Sequence, residues 1–191
     1  VDYKLTSTIN LSAVAGLGQM IYNSRPLATI SQDNNSEILA VDRKVYLKNY
    51  YVGGNPQTAL SGGIKYNSPK YWWLGVNVNF FDDIYLEPNP DRRSAGAAGL
   101  YSSDDIRYLQ LLAQEKLASA YTVDLFGGKS WRIGKYYIAL NLSINNLLNE
   151  TDFAFGGFEQ FRYDPNDMEK FPPKYFYLYG IQYFANISFR F

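Results

Sequence analysis

The sequence of 191 residues contains neither cysteine nor histidine. Without cysteine the chain has no disulfide, no thiolate metal site and no cysteine nucleophile. Without histidine it lacks the Ser-His-Asp triad, imidazole metal ligands and imidazole acid–base catalysis. An enzyme would have to work with carboxylates, lysine or tyrosine alone. We therefore expect a protein that is not an enzyme and that holds neither a cofactor nor a metal.

Net charge and long apolar runs are also missing. Lys plus Arg and Asp plus Glu number 18 each, so the charge balance gives no reason to expect nucleic acid as a partner. No run approaches the roughly 18 consecutive apolar residues of a membrane-spanning helix. Aromatic residues make up 17% of the chain, and Tyr and Trp suit a surface with one apolar and one wet side. These features leave a soluble all-β domain or a membrane β-barrel, whose apolar signal is spread over alternating strands.

Alternation of apolar and polar residues dominates the chain and predicts β-strands. The clearest alternation covers residues 3–13, 71–81, 136–148 and 181–191. Weaker strand candidates lie at about 38–52, 57–66 and 119–127, and residues 19–32 are ambiguous. We predict about seven or eight antiparallel strands.

The predicted connections fall into two length classes. Short ones are expected at residues 53–56, 67–70 and 127–134, and long ones at 83–117 and 150–176. One helix is predicted in the first long connection, because Ser102 and Asp105 have capping-box spacing and apolar residues from Ile106 to Leu117 recur at helical spacing. Short turns on one side and long loops on the other are typical of outer-membrane barrels.

The polar faces of the predicted strands favour a barrel in lipid over a soluble sandwich. They carry mostly Asn, Ser, Thr and Gln, whereas charged residues collect in the connections. The mid-strand charges Asp124 and Arg190 lie opposite the apolar face, so we expect them to face a lumen, either in a structural polar network or in contact with a plug or permeant. Aromatic residues concentrate near strand ends, as interfacial girdles require.

The end of the sequence carries a second barrel feature. The last predicted strand alternates apolar residues up to the final residue, with Tyr183, Ile187, Phe189 and Phe191 on one face. This pattern resembles the signal read by the barrel assembly machinery, although an ordinary last strand is the alternative. The sequence begins at Val1 without a start Met or signal peptide, so we expect a processed or cut chain.

Nine ordered segments carry a resemblance to a known family. They are VGGNPQTA (52–59), SPKYWW (68–73), NFFD (79–82), NPDRR (89–93), GKSW (128–131), INNLLN (144–149), GGFEQ (156–160), KYFY (174–177) and YFAN (183–186). In this order they resemble the C-terminal part of Bacteroidota TonB-dependent receptors of the Oar-like and SusC-like group, which carry a carboxypeptidase-regulatory-like extension.

This resemblance implies an all-β fold and a transport function. Members are plugged outer-membrane transporters of 22 strands, so residues 1–191 would form about the last third of the barrel, without the plug and the N-terminal strands. The implied location is the outer membrane of a Gram-negative bacterium. The implied partners are the rest of the receptor, the TonB complex acting through the plug, the barrel assembly machinery, the lipid bilayer and, in SusC-like systems, a surface lipoprotein lid.

The resemblance also implies that the long connections are extracellular and contact the ligand. The candidate contacts are aromatic residues of these connections: Tyr85, Tyr101, Phe153, Phe155, Phe158, Phe161 and Tyr163. Their rings could stack on a ligand, or they could brace the loops against one another.

Three other interpretations stay open at this point. One is a complete eight-stranded barrel that acts as a structural anchor or adhesin. Another is an outer-membrane enzyme, against which the lack of histidine argues. The third is a soluble carbohydrate-binding sandwich.

Overall fold

One antiparallel sheet of seven strands organises the fold. The computed structural model describes residues 1–164 and 166–191. The sheet has the order β1-β2-β5-β6-β7-β8-β11. Its strands are β1 (Asp2–Lys4), β2 (Ile9–Leu17), β5 (Thr58–Asn67), β6 (Trp72–Asp82), β7 (Ala120–Ile133), β8 (Tyr136–Asn145) and β11 (Gln182–Arg190). The remaining elements are β3 (Leu27–Ser31), β4 (Ile38–Lys44), α1 (Ala95–Ala98), α2 (Ile106–Leu112), β9 (Ala154–Phe158) and β10 (Lys174–Tyr177).

The two faces of the sheet differ in polarity across all seven strands. One cross-strand row consists of Tyr3, Leu11, Ile64, Val76, Leu125, Ile144 and Tyr183. The adjacent row, on the opposite face, consists of Lys4, Asn10, Lys65, Gly75, Phe126, Ser143 and Phe184. Successive residues of a strand point to opposite faces. We call the first surface the apolar face and the second the polar face, and many apolar-face side chains, such as Ile64 and Tyr183, are exposed.

The connections between sheet strands alternate in length along the chain. Residues 5–8, 68–71 and 134–135 are short turns at one end of the sheet, the short-turn end. Residues 18–57, 83–119 and 146–181 are the long connections at the opposite end, the long-connection end. The expected turns at 53–56 and 127–134 were wrong, because 53–56 lies inside a long connection and β7 continues to Ile133.

The pair Gly127–Gly128 reads as a turn in the sequence but is regular strand. Both residues pair with β6, Gly127 with Leu74 and Gly128 with Trp73. A Cβ at Gly128 would lie 2.6 Å from the Trp73 Nε1 atom. The missing side chain therefore makes room for an indole ring on the polar face, and the glycine serves close packing rather than chain reversal.

The predicted helix begins later and ends earlier than the sequence pattern suggested. Asp105, not Ser102, is the N-cap, and its side chain accepts a hydrogen bond from the Arg107 N–H. The helix ends at Leu112. Leu117, which the helical spacing included, instead packs into a core cluster with Ile84, Leu86 and Phe153. The short helix α1, capped by Ser94, was not predicted, because a single turn of Ala and Gly carries no amphipathic period.

Two small cores hold the long connections together. The first contains Ile84, Leu86, Leu117 and Phe153, and the second contains Ala97, Ala98 and Leu111. The hairpins β3–β4 and β9–β10 pair outside the main sheet. The long connections therefore form a folded body of their own rather than a set of extended loops.

The all-β prediction is confirmed, since the regular structure is mostly antiparallel strand. Within the described residues the sheet is open, with β1 and β11 as its two edges. This open sheet does not support a complete eight-stranded barrel made by these residues alone.

Neither α1 nor α2, nor any other helix in the described ranges, is long and apolar enough to cross a membrane.

Candidate ligand-binding site

A cleft of about 580 Å³ opens in the body formed by the long connections. The hairpin β3–β4 forms one wall, residues 161–163 and Phe171 supply the other, and residues 89–91 form the floor. The side chains that give the cleft its chemistry are Ile30, Asp33, Asp91, Phe161, Arg162, Tyr163 and Phe171. It thus combines aromatic rings with charges of both signs.

A buried ion pair anchors the floor of the cleft. The Arg93 side chain is fully buried and donates two hydrogen bonds to the Glu159 carboxylate, the one from Nη2 to Oε1 being 2.7 Å long. Nη2 also donates to the Ala113 carbonyl, and the guanidinium lies 5.6 Å from the centre of the Tyr50 ring. Burial lowers the pKa of Arg93 to about 10, which still leaves a full cation at neutral pH. The pair therefore ties the start of α1 to the end of β9.

Asn89 connects the Arg93–Glu159 pair to the floor of the cleft by hydrogen bonds. Its backbone N–H donates to Glu159 Oε2 at 2.9 Å, and its side-chain amide donates to the Gln160 carbonyl at 2.7 Å. Its Oδ1 accepts from the Asp91 N–H at 2.8 Å. The floor and the wall that follows Gln160 are thus held in one arrangement.

Asp91 is the partly buried charge of the cleft. Burial raises its pKa, and the Arg43 guanidinium, 3.5 Å away, opposes that rise. Burial and a hydrogen bond to Tyr101 raise the pKa of Tyr163 to about 12. At neutral pH the Tyr163 phenol is therefore neutral.

A second carboxylate, Glu87, joins the first long connection to the others. It accepts hydrogen bonds from the Tyr22 hydroxyl and from the Gly53 N–H, the latter at 2.8 Å. A Cβ at Gly53 would lie 2.3 Å from the Glu87 backbone nitrogen. Only glycine allows this approach without a shift of the chain.

Replacement of Tyr22 by phenylalanine should lower the free energy of unfolding by about 1 kcal/mol at pH 7, because one hydrogen bond to a carboxylate is lost. Burial and Glu87 raise the pKa of Tyr22 to about 12, above its usual 10.0. A raised pKa contributes stability that is complete below the unfolded pKa and is lost as pH rises through the folded pKa. The difference between wild type and Y22F should therefore shrink from pH 10 towards 12, as urea titrations can measure. A pH-independent difference would contradict this assignment.

Of the seven aromatic residues predicted to contact a ligand, two line the cleft and five lie elsewhere. Phe161, which is 74% exposed, and Tyr163 line the cleft. Phe153 is only 6% exposed and packs in the first core. The others contact further side chains: Tyr85 stacks on Tyr51, Tyr101 packs on the second core, and Phe155 and Phe158 lie beside Phe176.

The mid-strand charge Asp124 belongs to a polar network on the polar face. Its Oδ2 accepts from the Asn79 side chain at 2.8 Å, and its Oδ1 accepts from the Asn146 N–H at 2.9 Å. Asn79 also bonds Ser61 and Thr122. These contacts connect β5, β6 and β7 to the start of the third long connection, so the Asp124 carboxylate braces the sheet.

Arg190 and the predicted assembly-signal residues lie on the exposed strand β11. Arg190 pairs with Tyr137 of β8 on the polar-face side. Tyr183, Ile187 and Phe189 lie on the apolar face and are each more than half exposed, and Phe191 follows the strand.

Sequence reasoning missed the charged part of the site. Asp33, Asp91 and Arg162 in the cleft, and the pair Arg93–Glu159 beneath it, were not candidates. The available signal was that Arg93 and Glu159 stand in two of the nine quoted segments, NPDRR and GGFEQ. Nothing local in either segment shows that they meet.

The cleft presents groups suited to non-covalent binding. Within residues 1–164 and 166–191, no group of three or more carboxylates is placed to hold a metal ion. The cleft offers rings for stacking and charges of both signs for orientation.

Comparison with known proteins found no similar protein or family. No protein-family model matches the chain, and no curated protein and no solved structure is significantly similar to it.

Proposed function

We propose that this chain is the C-terminal wall of a TonB-dependent receptor barrel in the outer membrane of a Gram-negative bacterium. The observation that carries the proposal is the apolar face, which continues across all seven strands and is exposed. Hydrocarbon is the solvent that such a face requires, and the polar face then lines a lumen. The nine segments that resemble TonB-dependent receptors favour a receptor over other kinds of outer-membrane barrel.

The open edges of the sheet support a larger assembly. The N–H and C=O groups of an edge strand cannot remain unpaired in hydrocarbon. In this proposal, β1 and β11 pair with the remaining strands of the receptor, and the plug lies against the polar face. The barrel assembly machinery reads β11, and the TonB complex acts through the plug.

The cleft is the proposed extracellular ligand site. It lies at the long-connection end, which faces the outside in this orientation, and a surface lipoprotein lid would cover the same side. Binding and passage need no covalent chemistry, so we propose that the chain is not an enzyme and needs no cofactor. The ligand would contact Phe161 and Tyr163, with Asp91 and Arg162 setting its orientation.

Single cysteines test the membrane orientation, because the native sequence has none. Leu142→Cys and Ile187→Cys place a thiol on the apolar face, and the neighbours Asn141→Cys and Ser188→Cys place one on the polar face. In the intact protein in its membrane, we expect a water-soluble maleimide to label the polar-face thiols at least tenfold faster. A lipid-soluble maleimide should label the apolar-face thiols.

The paired positions make the test decisive. Leu142 with Asn141 and Ile187 with Ser188 are chain neighbours at equal depth, so only the direction of the side chain differs. Equal labelling of both faces by the water-soluble reagent would mean a sheet in water, and the receptor proposal would be abandoned.

A further inference from the structure

The acidic residues of this neutral chain lie mostly away from its short-turn end. Six basic residues lie in or beside the short turns: Lys4, Lys70, Lys129, Arg132, Lys135 and Arg190. Residues 58–81, 125–149 and 180–191 contain no Asp or Glu, and Asp2 is the acid nearest to these turns in sequence. The short-turn end is therefore strongly basic, and it complements an anionic partner.

A groove of about 300 Å³ runs over the apolar face near this basic end. Gly127 lies in its floor, between Leu74 and Leu142 of the same cross-strand row. The missing side chain leaves a gap in an otherwise continuous apolar surface. The walls are supplied by Trp72, Leu74, Leu125, Leu140, Leu142 and Ile144. The groove therefore fits a flexible hydrocarbon chain.

Lys129 places a positive charge at one end of the groove. It lies on the apolar face in the row of Trp72 and Leu140, and its Nζ donates to the Lys70 carbonyl at 2.5 Å. The ammonium is thus held at the rim of the sheet, beside the turn that carries Lys70. A lysine on a lipid-facing surface is tolerated near the interface, where its stem covers apolar surface and its head reaches polar groups.

We propose that the groove binds one acyl chain of an anionic phospholipid, whose phosphate lies against Lys129 and Lys70. This inference rests on the proposed membrane location. The apolar groove selects the chain, and the two ammonium groups select the headgroup charge. Trp72 pairs with Lys129, and Trp131 lies two residues further towards the turn on the same face. Indole rings prefer the depth of a membrane interface.

The intact protein, extracted from its membrane in a mild detergent, provides the test. Native mass spectrometry would measure the retention of phosphatidylglycerol and phosphatidylethanolamine with identical acyl chains. We expect wild type to retain one phosphatidylglycerol in preference to phosphatidylethanolamine. The double variant K70Q/K129Q should lose that preference, by about fivefold per cation removed. Leu142→Trp, which fills the groove, should reduce retention of both lipids.

Two matched variants separate the groove from general effects. Lys135→Gln removes a turn cation that does not line the groove, and Leu60→Trp adds an indole elsewhere on the apolar face. Both should retain phosphatidylglycerol as wild type does. The proposal is overturned if K70Q/K129Q behaves like K135Q, or if Leu142→Trp retains as much lipid as Leu60→Trp. Cysteine labelling that shows a membrane orientation together with either result would refute only the lipid site and leave the receptor proposal standing.

Discussion

Replacement of Arg93 by methionine should lower the free energy of unfolding by about 3–5 kcal/mol, the usual cost of leaving one charge of a buried pair without its partner. Arg93 is fully buried, and Glu159 would keep a carboxylate that is only 8% exposed. Asn89 would lose part of its support, since its N–H bonds the same carboxylate. Urea titration of the intact protein, followed by protease sensitivity of the long connections, measures the effect.

An exposed ion pair provides the control for this prediction. Arg107 and Asp105 form a salt bridge of 2.6 Å on the surface of the same body. Surface pairs are screened by water and salt, so Arg107→Met should change stability little. The double variant R93M/E159L should recover much of the loss, because it removes both charges. If R93M is no more sensitive to protease than Arg107→Met, the pair does not anchor the cleft.

Replacement of Gly157 by alanine should cost about 3 kcal/mol, near the top of the usual range for overpacking. A Cβ at this position would lie 2.2 Å from the Lys174 carbonyl oxygen and 2.7 Å from Leu86 Cδ2. The Lys174 oxygen is backbone of the paired strand β10, so it cannot swing away as a side-chain end can. We therefore expect β9 and β10 to separate, with loss of protection from protease between residues 154 and 177.

Gly62 is the matched position for this second prediction. It lies inside strand β5, and a Cβ there would meet nothing within 4 Å. Gly62→Ala should be neutral or slightly stabilising, because it restricts only the unfolded chain. Hydrogen exchange at β9 and β10 distinguishes the two variants. Unchanged protection in Gly157→Ala would show that the hairpin tolerates a wider spacing.

Local sequence patterns predicted the main sheet well. The clearly alternating segments at 71–81, 136–148 and 181–191 correspond to β6, β8 and β11, and the weaker ones at 57–66 and 119–127 to β5 and β7. The segment at 3–13 is split by the turn at 5–8 into β1 and the start of β2, which pair with each other. Alternation is recorded residue by residue, because a strand side chain faces one side or the other of its own sheet. The same patterns misplaced the turn at Gly127–Gly128, since a glycine that makes room for Trp73 looks like a glycine that reverses the chain.

The site was predictable only in part. Phe161 and Tyr163 were among the aromatic candidates and line the cleft, but Asp33 and Arg162 were not candidates. Strand β3 lies in residues 19–32, whose structure the sequence left ambiguous, and β4 lies in a strand predicted to run from 38 to 52. The sequence therefore did not predict the hairpin that forms one wall of the cleft. Phe153 shows the opposite case, because an aromatic residue of a connection can be core as readily as surface.

The sequence by itself determined which side of each strand is apolar and at which end the connections are long. The tertiary structure decided what those connections build. Arg93 and Glu159 are 66 residues apart, and their pairing depends on how three long connections pack together at one end of the sheet. No periodicity records such a contact, since its stabilisation comes from burial and shape that exist only after the chain has folded.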